Sequence, residues 1–280
     1  MSPELHGGLH LSFLPIPVTV ILLVVALVYQ RGLYQLRNAL PTALSARRLV
    51  AFVSGVVFVW VAVGSPLGDL DHQLLTAHMA QHLLLMTVAA PLILLGVPAI
   101  ALLHGLPRGF IRRLPEPLVQ SRPVFRLGRI VTHPVFCWLA STAVVIGWHV
   151  PALFELGMKS AGWHEAEQAC FLAAGLLFWW PVVQPWPRLD TWPRWRIPLY
   201  LFLATLPCDA LSAFLAFCNR VVYPHYQAAH QRADFSPLRD QECAGALMWI
   251  WVTFAYLAPA AAVTIQLLSP QRRASQVEAV

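Results

Sequence analysis

The apolar stretch 74–96, LLTAHMAQHLLLMTVAAPLILLG, is long enough to cross a bilayer, yet it carries His78, Met79, His82 and Met86. Ligand-type and ionisable side chains at membrane depth are costly and mark functional sites by default. His78 and His82 are one helical turn apart on one face, and Met86 falls one turn further along. Two other apolar segments add imidazoles at their ends. One finishes at Trp148, His149, Val150, Pro151, and the next begins at Trp163, His164, with Glu167 and Gln168 within a turn. Asp240 and Gln241 precede the last apolar segment, and Met248 lies about two turns deeper. Neutral imidazole suits copper, iron and zinc, thioether selects Cu(I), and carboxylates or amides hold the histidine tautomer. A set of His78, His82, His149 and His164, with Met79, Met86 or Met248 nearby, reads as a copper site for Cu(I). Bis-histidine haem b, ligated from two facing helices, is the alternative. A plainer reading also stands: His78 and His82 as a polar pair binding neighbouring helices, and Met86 as packing. His6, His10, His225 and His230 read as loop residues, and His72 as a loop residue just before the third apolar segment.

The elements that must position these groups are membrane helices. The 280-residue chain is 58% hydrophobic and 11% charged, with a mean hydropathy of +0.62. Such a balance exceeds the needs of a soluble core. At the roughly 20 residues needed to span, about seven candidates emerge, near 12–30, 49–66, 74–96, 133–152, 166–184, 197–217 and 243–267. The expected fold is an all-α polytopic transmembrane bundle, one integral membrane domain over residues 1–280. The first segment lacks a basic leader and is interrupted by Pro15 and Pro17, so it reads as an anchor rather than a signal peptide.

Charge sets the expected orientation. Most of the 19 basic residues fall in alternate connections, and only Lys159, Arg220, Arg232 and Arg239 fall in the others. The positive-inside rule then puts the N-terminus outside and the C-terminus in the cytoplasm, with nearly all of the histidines toward the outer side. The same distribution argues against nucleic acid as the reason for the pI of about 9.4. The segment Arg108 to Arg129 reads as surface-lying and attracted to anionic lipid. The short connection between the fourth and fifth helices makes them antiparallel neighbours and is expected to bring His149 near His164.

Other features are quieter. Pro91 and Pro181 should bend their helices, the freed carbonyls finding partners in the bundle. Asp209, near mid-helix beside Pro207, needs a polar partner or a proton; it reads slightly more as structural than as a proton relay. The five cysteines show no CxxC pair and read as buried small hydrophobes, with a Cys218–Cys243 pairing left open. No Gly-rich phosphate loop, HExxH motif or G-x-S-x-G elbow is present, so the chain does not read as an enzyme.

Four fragments in order carry a family resemblance: HMAQHLLLMTVAAPLILLGVP; Trp148-His149 followed by Pro151; the His164 start leading into GLLFWWPVVQPWP; and DQECAGALMW at Asp240 to Trp249. Together they resemble the CtaG-type (caa3-type) cytochrome c oxidase assembly factor family of bacterial seven-helix membrane proteins. The resemblance implies a multi-pass protein of the bacterial inner membrane that helps mature a haem-copper oxidase by assisting copper to its buried centre. Its partners would be an oxidase subunit, membrane lipid and a periplasmic copper chaperone. The family's marked positions would be His78, Met79, Gln81, His82, His149, His164, Asp240 and Gln241; from their own positions in the sequence His72, Met248 and Glu167 read as supporting residues. A haem b electron-transfer protein and a cofactor-free assembly scaffold remain as alternatives.

Overall fold

A backbone in hydrocarbon must satisfy its own hydrogen bonds, which leaves helices as the form open to long apolar segments. The computed structural model describes residues 16–36, 46–107, 109, 122–184, 192–229 and 236–269, without the side chains of Asp69, Ala228 and Ala229, and contains no strand among them. His6, His10 and His230, and most of the arginine-rich segment after Arg108, lie outside the described residues.

The helices are α1 (Ile16–Leu36), α2 (Ala46–Gly64), α3 (Leu67–Leu70), α4 (Leu75–Leu83), α5 (Ala90–Leu95), α6 (Pro98–Gly105), α7 (Arg122–Val131), α8 (Pro134–His149), α9 (Pro151–Lys159), α10 (Ala161–Val183), α11 (Ile197–Phe217), α12 (Pro224–Ala229) and α13 (Pro237–Leu268). Among the described residues six spans are long and apolar enough to cross a membrane, and a seventh is added if α7 and α8, bent by 60° at their junction, are one span. Side chains such as Ile21, Leu27, Ile250 and Phe254 are well exposed. A belt of that kind fits lipid rather than water.

Three departures from the sequence expectation bear on the site. The third span is not one α-helix: Leu84–Ala89 is π-helical and joins α4 to α5. Pro91 explains the break, because its ring has no N–H for the Thr87 carbonyl and crowds it, and one wide turn absorbs the mismatch. The Trp179 indole donates to the Met86 carbonyl at 3.0 Å, supplying a partner within that turn. Gly175 makes the approach possible, since a Cβ there would come within 2.8 Å of Met86 backbone atoms. Secondly, the connection after His149 is the short helix α9, closed down over α10. Thirdly, α13 starts at Pro237, so Asp240 and Gln241 lie inside its first turns rather than ahead of it.

The largest core cluster fills the space among α4, its π-helical turn, α8, α10, α11 and α13. A smaller one joins α1, α2 and α6 around Tyr29, Phe52 and Ala101. The described cysteines Cys137, Cys170, Cys208, Cys218 and Cys243 are all free, so Cys218 and Cys243 are not paired.

Candidate metal centre

The start of α4 is held by a helix far away in sequence. Its first turn has no side-chain cap of its own, so its leading N–H groups need acceptors. Asp240 of α13 provides them: its carboxylate accepts from the Leu75 N–H at 2.6 Å, the Thr76 N–H at 3.1 Å and the Thr76 hydroxyl at 2.6 Å. A buried carboxylate at a helix N-terminus is favoured by both charge and hydrogen bonding. Gln81 ties the same helix to α2 by donating to the Ala62 carbonyl at 2.7 Å. These two contacts fix the rotation and height of α4, and hence where its histidines point.

They point at Glu167. His78 Nε2 and His82 Nε2 lie 2.8 Å apart, and Glu167 Oε1 is 3.5 Å from the first and 3.3 Å from the second. All three side chains are buried, and their ligand atoms can share one metal ion. A tetrahedral ion with bonds of about 2.0–2.1 Å sets its ligand atoms roughly 3.3 Å apart, close to the two contacts with Glu167. Phe171 stacks on the His82 ring, centroids 3.9 Å apart at 12°, which fixes that imidazole's plane.

His164 continues the cluster toward the α3 end of the bundle. Its Nδ1 is 3.6 Å from Glu167 Oε2, and its Nε2 is 2.8 Å from Asp71 Oδ2. His72, half-exposed, lies 3.8 Å from the other Asp71 oxygen, and Asp71, His72 and His164 form a second group able to hold an ion. Burial by itself would raise the Asp71 carboxyl, but the hydrogen bond and charge of His164, helped by His72, hold it below the ordinary carboxylate range. Burial depresses the His72 imidazole, with Asp71 pulling the other way.

The cluster is under-satisfied. His78 Nδ1, His82 Nδ1, His164 Nδ1, Glu167 Oε2 and Asp71 Oδ1 are buried without a hydrogen-bond partner. Each such group costs about 1–3 kcal/mol. Five together in native protein call for an ion, a water or a catalytic role. The donor set, imidazole and carboxylate, fits a first-row metal ion.

His149 stands apart from this group. Its Nδ1 lies 2.6 Å from the Val145 carbonyl and its Nε2 faces the Met79 sulfur at 3.4 Å. Met79, Met86, Met248, His82 and His149 line a cavity of about 30 Å³ beside the first cluster. The expected four-histidine set is thus divided: three converge on Glu167, and the fourth looks into a methionine-lined space. Gln241 bonds away from the site, accepting from the Val222 N–H at 2.7 Å and donating to the Leu215 and Arg220 carbonyls, each at 3.2 Å. His225, expected in a loop, lies in the short helix α12 instead, its backbone N–H donating to Glu155 Oε1 at 3.0 Å.

Comparison with known proteins agrees with this architecture. Residues 27–269 match the cytochrome c oxidase caa3 assembly factor family. The chain belongs to that family. It is also 24% identical over 270 residues to an uncharacterised protein of Mycobacterium bovis, covering 91% of this chain and 39% of that protein. An uncharacterised protein of Mycobacterium leprae is 25% identical over 239 residues, covering 81% of this chain and 35% of the relative. The chain therefore spans less than half the length of these relatives. No solved structure matches it. The family's description is that of a factor in the assembly of caa3-type cytochrome c oxidase.

Sequence reasoning missed Asp71 outright and gave Glu167 a supporting place where it is the hub. Asp71 is fully buried and also accepts from the Tyr226 hydroxyl through its carbonyl at 2.6 Å. The signal was present: an acidic residue next to His72, seven residues ahead of His78, in a chain with only 13 acidic residues. Gly157 was invisible in sequence terms. It lies on α9 over Glu167, where a Cβ would stand 2.9 Å from Oε2.

Proposed function

We propose that this protein assists assembly of a haem-copper cytochrome c oxidase by taking up copper as Cu(I), holding it at His78, His82 and Glu167, and passing it to an oxidase subunit. The observation that carries this reading is the buried His78–His82–Glu167 triangle, with ligand atoms at 2.8, 3.3 and 3.5 Å, in a member of an oxidase assembly family. His78 Nε2, His82 Nε2 and Glu167 Oε1, each within 3.5 Å of the other two, supply the donor atoms a cation would take.

The route in runs from the α3 end. A cleft of about 420 Å³ has His72, His164, Glu165 and Gln168 in its wall, and His164 in turn contacts Asp71 and Glu167 behind it. In the orientation that the arginine distribution favours, this end faces the extracytoplasmic side of the bacterial inner membrane, where a periplasmic copper chaperone can reach it. Transfer is ligand exchange: a site with few donors holds the ion moderately, and a partner with more or softer donors takes it. The small space beside these rings favours an ion over haem b, because about 30 Å³ admits a water or an ion and not a porphyrin.

The test uses purified full-length protein loaded anaerobically with Cu(I). The His78→Ala, His82→Ala double variant should lose the copper bound at this cluster and fail to restore oxidase in a deletion strain. Unchanged binding together with full restoration would overturn the reading and favour a cofactor-free scaffold.

A further inference from the structure

The geometry points to a second, softer metal station deeper in the bundle, for Cu(I) or an ion of similar softness, with Met79, Met86, Met248 and His149 as its donors. The inference rests on the copper reading above and adds a place for the ion to go.

The decisive contact is between His149 and Met79. His149 Nδ1 sits 2.6 Å from the Val145 carbonyl oxygen, which only accepts, so Nδ1 carries the hydrogen and Nε2 of the neutral ring presents a lone pair. That lone pair faces the Met79 thioether sulfur at 3.4 Å, and sulfur in a thioether has no hydrogen to give. Two acceptors thus face one another in a buried place, where hydrogen bonding cannot reconcile them. A cation between them would. Around a tetrahedral ion with bonds of about 2.0 Å to nitrogen and 2.3 Å to sulfur, such a donor pair sits roughly 3.5 Å apart.

The surroundings select the ion. The cavity of about 30 Å³ has three thioethers, Met79, Met86 and Met248, in a wall completed by the His82 and His149 imidazoles, Thr87, Tyr256, the Cys208 thiol and apolar side chains. A space of that size holds one small occupant. All four proposed donors are neutral and no carboxylate lines the space, which disfavours divalent ions and favours a soft monovalent one. The chain has five methionines, and three of them meet here.

The two stations share one wall. His82 belongs to the Glu167 triangle and also lines the methionine cavity. An ion leaving nitrogen and oxygen donors for sulfur donors therefore crosses a single imidazole. The π-helical turn at Leu84–Ala89 supplies Met86 to this cavity, and π-helical turns of this kind concentrate at functional sites.

The experiment measures Cu(I) stoichiometry in full-length protein in lipid nanodiscs, by competition with a Cu(I)-specific chelator, and the copper K-edge absorption spectrum at each loading. Wild type should bind two equivalents, one of them with sulfur neighbours at about 2.3 Å. The volume-conserving Met79→Leu, Met86→Leu, Met248→Leu variant should bind one equivalent with no sulfur neighbours, and that retained equivalent reports an intact fold. If the triple variant loses both equivalents, Met248→Leu alone is read in its place, with one sulfur neighbour fewer expected. Glu167→Gln with His78→Ala should keep the sulfur-bound ion. Wild type with one equivalent and only nitrogen or oxygen neighbours would overturn the second station and leave the first. Sulfur neighbours unchanged in the methionine variants would overturn the assignment of donors. No copper in wild type would remove both.

Discussion

Two halves of this bundle bury polar groups in different ways. Where α1, α2 and α6 meet, the Tyr29 ring stacks on Phe52 at 3.7 Å and its hydroxyl donates to the Gly96 carbonyl at 2.7 Å, so the buried polar atom is satisfied. Where α4 meets α10, imidazoles and carboxylates crowd together and several of their atoms lack partners. None of the partnerless buried side-chain atoms among the described residues belongs to α1, α2 or α6. Both halves fold by the same apolar packing. Only one carries an electrostatic cost that folding does not explain, and that cost marks where function sits.

Substitutions in each half separate the two roles. The largest effect belongs to the His78→Ala, His82→Ala variant, which should weaken copper binding at the cluster at least a thousandfold, a loss of about 4 kcal/mol or more, as read by chelator competition. Asp240→Ala comes next. It strips two backbone N–H groups of their acceptor, while the Thr76 hydroxyl keeps the residue 240 carbonyl, and should lower unfolding stability by about 2–3 kcal/mol, with Asp240→Asn recovering part of it. Copper affinity should fall too, because α4 loses the contact that sets its height; a stability loss with full affinity would detach the cap from the site.

In the other half, Tyr29→Phe should cost about 1 kcal/mol in a chemical unfolding assay and leave copper binding unchanged. A copper defect there as large as the one from the histidine pair would break the comparison. The smallest effect is expected from Gly157→Ala, whose Cβ presses on Glu167 Oε2 from 2.9 Å. It should weaken copper binding a few-fold and barely move the melting temperature. A larger stability loss than affinity loss would make Gly157 a packing glycine and nothing more.

The helical bundle was legible because apolar length is a strong signal, and α11 occupies residues 197–217 as expected. The short α8 was harder. Its 16 residues reach only about 24 Å, and hydropathy alone ran it on into what is the separate helix α9. Within the site, His78 and His82 were readable from their spacing on one face. Glu167 was not readable as the hub, because which carboxylate meets them depends on how α10 packs against α4. The placing of His149 against Met79, outside the Glu167 cluster, was hidden for the same reason: antiparallel neighbours bring helix ends together, but α9 and the rotation of α8 decide which cavity a ring enters. Asp71 escaped because loop acids are ordinary, and only the fold buries this one against His164.

The most direct test of the account is an anomalous-scattering map, collected at the copper edge, from crystals of the Cu(I)-loaded protein. The account predicts a peak within bonding distance of His78 Nε2, His82 Nε2 and Glu167. Copper found only on lipid-facing or loop residues, or these three side chains refined with no peak among them at full loading, would contradict it.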